Sequence, residues 1–143
     1  IALFAAKHAR HVLGVDIVAP AVEDAKKNAE LNGIKNAEFI CGAAEEVIPR
    51  LMQSGEITPD VVFLDPPRKG CEKPLLHALC KAFGQKNIIY VSCDPATLAR
   101  DVKILTEGGY TLVTAQPVDM FPHTGKVETS ALLRRCDTRT FSK

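Results

Sequence analysis

Short apolar runs alternate with longer stretches of helical spacing along most of this chain. Ile1 to His8 reads as the end of a helix, and His11 to Ile17 as a short strand whose last polar residue is Asp16. Pro20 to Asn32 predicts a helix with Pro20 in its first turn, Ala21, Ala25, Ala29 and Leu31 as inner positions and Gly33 as terminator. The same reading gives strands over Ala37 to Cys41, Asp60 to Leu64 and Asn87 to Ser92, and helices over Ala44 to Gln53, Pro74 to Phe83 and Pro95 to Thr106, the last closed by Gly108-Gly109. Tyr110 to Met120 and Thr129 to Arg135 then read as two strands in succession, an antiparallel pair. Repeated strand–helix units predict an α/β fold: a mostly parallel sheet with helices on both faces and a C-terminal antiparallel hairpin. The domain is expected over residues 1–136, with 137–143 as a tail. A sheet of this kind opens with a strand and a glycine-rich turn, yet Ile1 already lies in a helix, so the first strand and its turn are expected upstream of this chain.

Composition narrows the class. A length of 143 residues with 46% hydrophobic content suits one domain with a real core. Lys and Arg number 18 against 17 Asp and Glu, a net charge of +1, so a nucleic-acid partner would have to be served by local or separate basic surface. No apolar run is long enough to span a bilayer and no leader pattern precedes a cleavage site, which predicts a cytoplasmic protein. The cysteines Cys41, Cys71, Cys80, Cys93 and Cys136 form no Cys-x-x-Cys pair, and His8, His11, His77 and His123 share no ligand spacing. Neither a disulfide framework nor a metal site is expected. Cys80 reads as core and Cys71, after Gly70, as exposed.

Chemistry concentrates at strand ends. Ile88 to Ser92 runs into Cys93, Asp94 is placed to cap the next helix and Pro95 suits its first position, so Cys93 meets free backbone N–H groups. That setting favours a thiolate and makes Cys93 a candidate nucleophile, against the alternative of a small buried hydrophobe. Asp16 ends its strand where a carboxylate accepts hydrogen bonds from ribose hydroxyls, or simply caps a helix. Asp65-Pro66-Pro67-Arg68 is a rigid loop at a strand mouth, able to hold a ligand edge or merely to break the strand.

Three ordered motifs carry a resemblance: Asp65-Pro66-Pro67-Arg68-Lys69-Gly70, the run from Tyr90 to Asp101 (YVSCDPATLARD), and the run from Asp119 to Glu128 (DMFPHTGKVE). Together they resemble the RNA uracil-5-methyltransferase family, which makes 5-methyluridine in ribosomal or transfer RNA. The likeness runs from about Ile1 to Arg135 and implies a Rossmann-like S-adenosylmethionine-dependent methyltransferase fold. Full-length members typically add an N-terminal RNA-binding barrel, a central substrate-binding region and, in some, an iron–sulfur cluster. By motif, the resemblance implies Cys93 as nucleophile, Glu128 as base, and Asp16 and Asp65 as S-adenosyl-L-methionine contacts; Arg68 is a candidate contact to the flipped nucleotide or its phosphate, or equally a surface arginine paired with a carboxylate. An RNA substrate follows, ribosomal RNA ahead of transfer RNA, and the chain alone is expected to be inactive.

The sequence departs from the pattern in three places. Asp94 stands where Asn is usual, and its charge opposes a thiolate at Cys93 unless its side chain caps the helix. Lys126 replaces the usual His two residues before Glu128, and Asp16 replaces the commoner Glu. Two rival classes stand beside this reading. An amino-methyltransferase also uses an Asp-Pro-Pro loop, but there an aromatic residue follows where this chain has Arg68, and Cys93 and Glu128 go unexplained. A non-catalytic fragment of a cofactor fold is the other.

Overall fold

The computed structural model describes residues 1–81, 87–120, 122–124 and 126–136. The expected tail 137–143, the last turn of the expected helix at Ala82 and Phe83, and Phe121 and Gly125 of the third motif lie outside the described residues. In chain order the elements are α1 (Ala2–Ala5), β1 (Val12–Asp16), α2 (Ala19–Leu31), β2 (Ala37–Cys41), α3 (Ala44–Gln53), β3 (Val61–Leu64), α4 (Lys73–Lys81), β4 (Asn87–Ser92), α5 (Pro95–Glu107), β5 (Tyr110–Val118) and β6 (Glu128–Arg135). They fall into two compact units, Ile1–Arg50 and Leu51–Lys143, with α3 crossing the boundary.

In the first unit β1 and β2 pair in parallel, from Val12 opposite Ala37 to Asp16 opposite Cys41. The connecting helix α2 begins because Val18 is extended, Pro20 presets the first turn and the Asp16 carboxylate accepts the Val18 N–H at 2.8 Å. It ends in a paired C-cap: Ile34 N–H donates to Ala29 O and Gly33 N–H to Glu30 O, with Gly33 at φ +65°, where a side chain is strained. The inner face differs from the sequence expectation. Val22 and Ala29 are buried, whereas Ala21 is exposed and Leu31 is 83% exposed. Counting from the true start at Ala19, the 22, 25, 29 stripe turns inward, and Leu31 in the last turn falls off it.

The second unit is a four-stranded sheet in the order β3-β4-β6-β5. β3 and β4 are parallel, while β4–β6 and β5–β6 are antiparallel. The C-terminal hairpin is thus present, and its second strand enters the sheet between β4 and the first. The reason is visible in the burial pattern. β4 buries Ile88, Tyr90 and Ser92, β6 buries Thr129, Ala131 and Leu133, and these face one another pair by pair across the two strands. β5 is exposed from Thr111 onward, a pattern that fits an edge and not the sheet's interior. Leu75, Leu76 and Leu79 of α4 and Leu98 and Leu105 of α5 complete the core. Each such fully buried leucine contributes roughly 1.5–3 kcal/mol. Cys80 is half-buried, and Cys71, expected at the surface, is buried, because its backbone N–H is drawn inward to the Asp101 carboxylate. No helix among the described residues is long and apolar enough to cross a membrane.

Candidate active site

The link from β4 to α5 is fixed atom by atom around Cys93. Ser92 Oγ donates to Asp94 O and accepts the Asp94 N–H, so two hydrogen bonds bracket the half-buried cysteine. Asp94 is extended and caps α5: its Oδ1 accepts the N–H groups of Ala96 at 2.9 Å and Thr97 at 3.0 Å. These bonds, that of Thr97 foremost, hold the Asp94 carboxyl below the usual carboxylate range, and the nearby Arg68 charge adds to the effect. The capping condition posed by the sequence is therefore met. The carboxylate that follows Cys93 is committed to the helix backbone.

Glu128 reaches the same end of the sheet through strand register. Ser92 pairs with Thr129 as the last step of the antiparallel β4–β6 ladder; Cys93 directly follows Ser92, and Glu128, the first residue of β6, directly precedes Thr129. Thirty-five positions apart in sequence, Cys93 and Glu128 thus flank the last pair of the β4–β6 ladder, Ser92 opposite Thr129, at the carboxyl end of β4. Asp65 directly follows β3, the parallel neighbour of β4, and is exposed. Neither its carboxylate nor the Arg68 guanidinium makes a hydrogen bond among the described residues. Asp16 closes β1 in the other unit, where Oδ1 is engaged by Val18 and Oδ2 accepts nothing from the described residues. Lys126 is exposed, its N–H donating to Thr124 Oγ1 at 3.3 Å.

Sequence reasoning missed the group that holds the Pro-Pro-Arg loop. Asp101 is 0% exposed, and its Oδ2 accepts from the Tyr90 hydroxyl at 2.6 Å and the Cys71 N–H at 2.7 Å. Its Oδ1 accepts from Arg100 Nε at 2.8 Å and Nη2 at 2.7 Å. Burial foremost, and the bond to Asp101, push the Tyr90 hydroxyl far above the phenol range, so it stays a donor. A signal for this existed: Asp101 stands with Leu98 and Leu105 at i, i+3, i+7 spacing, a charge on an apolar stripe.

Solved structures share the architecture. TrmN of Thermus thermophilus matches with TM-score 0.69 at 18% identity, over 95% of this chain and 40% of that one. Sp1610 of Streptococcus pneumoniae, solved in complex with S-adenosyl-L-methionine, matches with TM-score 0.68 at 13% identity, over 93% of this chain and 58% of that one. The fold is thus the Rossmann-like methyltransferase fold. The family model described as tRNA (Uracil-5-)-methyltransferase matches residues 1–136, and the chain belongs to that family. Uncharacterized RNA methyltransferases of Clostridium acetobutylicum and Bacillus cereus are 57% and 53% identical to it, each over 96% of this chain. The chain spans 29% of the length of each.

Proposed function

We propose that residues 1–136 belong to the catalytic domain of an RNA (uracil-5-)-methyltransferase. In this reading the whole protein methylates C5 of a uridine in RNA, ribosomal RNA ahead of transfer RNA, in the cytoplasm. The observation that supports it is the β4–β6 register, whose last pair, Ser92 opposite Thr129, is flanked by Cys93 and Glu128 in a chain of this family.

Asp16 and Asp65 suit S-adenosyl-L-methionine: both are exposed carboxylates at strand ends with acceptor capacity left over, as ribose hydroxyls and an amino group require. When bound, that cofactor supplies an electrophilic sulfonium methyl group. This chain's residues prepare the acceptor. Uracil C5 is a weak nucleophile until Cys93 Sγ adds to C6, which shifts the 5,6 double-bond electrons into an enolate whose charge C5 shares. Once C5 carries the methyl group, Glu128 removes the remaining C5 hydrogen as a proton. The C–H electron pair reforms the double bond and the C6–S pair leaves with sulfur, returning Cys93 to its starting state. Reaching Cys93 requires the base to leave its stack, at a few kcal/mol, which favours loop or single-stranded RNA. The Arg68 guanidinium, which makes no hydrogen bond among the described residues, is available to the flipped nucleotide or its phosphate.

The test uses the full-length protein. Cys93→Ala abolishes methylation, whereas Glu128→Gln permits addition and methyl transfer but stalls elimination, so a covalent protein–RNA band accumulates on a denaturing gel. Methylation by Cys93→Ala overturns the reading. The RNA itself is identified by mass spectrometry of nucleic acid from cells lacking the full-length gene, in which one 5-methyluridine disappears.

A further inference from the structure

A buried carboxylate is an expensive way to stabilise a core, and Asp101 lies fully inside one. Its partners show what is gained. Tyr90 belongs to the sheet, but the other donors lead to the loop after β3. Arg100, forked onto Asp101 Oδ1, also donates through Nη2 to Lys69 O at 2.8 Å and to Cys71 O at 3.3 Å. Thr97 Oγ1 donates to Arg68 O at 3.0 Å, and Gly70 N–H closes a turn onto Pro67 O at 2.8 Å. Gly70 is the only residue type the turn accepts: its φ is +77°, and an added Cβ would come within 2.6 Å of both Arg100 Nη2 and Asp101 Oδ2. Every residue from Pro67 to Cys71 is thereby held through backbone atoms by α5 or by the turn itself. The Arg68 side chain is left to project at the N-terminus of α5, where its charge acts on Asp94, the residue after Cys93.

We propose that Asp101 is a positioning residue for the reaction: through Arg100 and the Cys71 N–H it fixes the Pro67–Cys71 loop so that Arg68 meets the nucleotide being offered to Cys93. This rests on the functional reading above and adds to it how substrate placement is enforced. An asparagine at this position has one accepting atom where Asp101 has two, so it releases either the loop N–H or the Arg100 fork. Lysine in place of Arg100 cannot span Asp101 and two carbonyl groups at once.

In the full-length enzyme, Asp101→Asn is expected to lower kcat/KM for RNA on the order of 10²-fold, as misplacement of a substrate-orienting group does. Arg100→Lys acts in the same direction and serves if Asp101→Asn folds poorly. Tyr90→Phe removes a donor from the same carboxylate without freeing the loop and is expected to change kcat/KM less than threefold. The decisive measurement is the cycle with Arg68→Ala: the double variant is expected to be no slower than the slower single variant, because Asp101 acts through Arg68. Losses that multiply in the double variant, or a Tyr90→Phe loss equal to that of Asp101→Asn, overturn the positioning role and leave the functional reading intact. A wild-type enzyme that does not methylate uridine C5 overturns the functional reading instead.

Discussion

Burial sorts the cysteines into classes that their sequence positions do not. Desolvation raises the Cys80 thiol above its ordinary value, against a smaller opposing pull from Arg135, and Cys71 is buried with its backbone N–H bonded to Asp101. Cys93 is half-buried and directly precedes the Asp94 cap of α5. In the folded full-length protein near neutral pH, iodoacetamide is therefore expected to label Cys93 at least tenfold faster than Cys80, read peptide by peptide in a mass spectrometer. Slower labelling of Cys93 would make it a packing residue. At this scale the candidate site residues were legible in the sequence, but not the contacts that hold the loop beside them. Cys93, Glu128 and Arg68 stood in local motifs, whereas Asp101 acts across thirty positions on Cys71. Contacts of that range are set by which helix face meets which loop, and only the misplaced charge on the apolar stripe of α5 hinted at one.

Elements were legible where their ends carry chemistry. β2, α3 and β4 occupy the residues their patterns predict, and α5 differs only at its last residue, since Asp94-Pro95 and Gly108-Gly109 mark its two ends locally. The face of α2 was misread because its start was: small alanines at 21 and 25 dilute the stripe, and Val18 begins the helix without a capping side chain. The place of β6 inside the sheet was not legible, because strand order follows from packing between remote segments and leaves no local mark. The cap of α5 gives a pH-dependent outcome. The folded Asp94 carboxyl titrates below its unfolded value, so its contribution to stability is complete above the ordinary carboxylate range, about pH 3.9, and is lost as pH falls through the lowered folded value. Unfolding by denaturant is expected to show Asp94→Ala less stable than wild type at neutral pH, with the gap closing in acid. Asp94→Asn keeps a capping acceptor without the charge, so it is expected to stay close to wild type at neutral pH and to lose less on acidification. A gap between wild type and Asp94→Ala that is constant over the whole range would mean that the carboxylate charge contributes nothing to the cap.

At the scale of the whole molecule, each sheet is open. Among the described residues β1 is paired with β2 alone and β3 with β4 alone, so both carry an edge of backbone donors and acceptors open to pairing. The relatives are more than three times as long as the matched segment, and 29% of their length accounts for all of this chain's resemblance to them. A cofactor site of this fold also draws on backbone N–H groups at a helix N-terminus, which Asp16 and Asp65, as acceptors, do not offer and other parts of the longer protein can. The loss of two such hydrogen bonds, about 2 kcal/mol, lowers affinity about thirtyfold. Calorimetry is therefore expected to find that the 143-residue chain binds S-adenosyl-L-methionine at least thirtyfold more weakly than the full-length protein. In that full-length protein, amide hydrogens along β1 and β3 should exchange more slowly than in the 143-residue chain, as edges that have gained a partner do. Equal affinity together with unchanged exchange would show that the residues present here complete the site on their own.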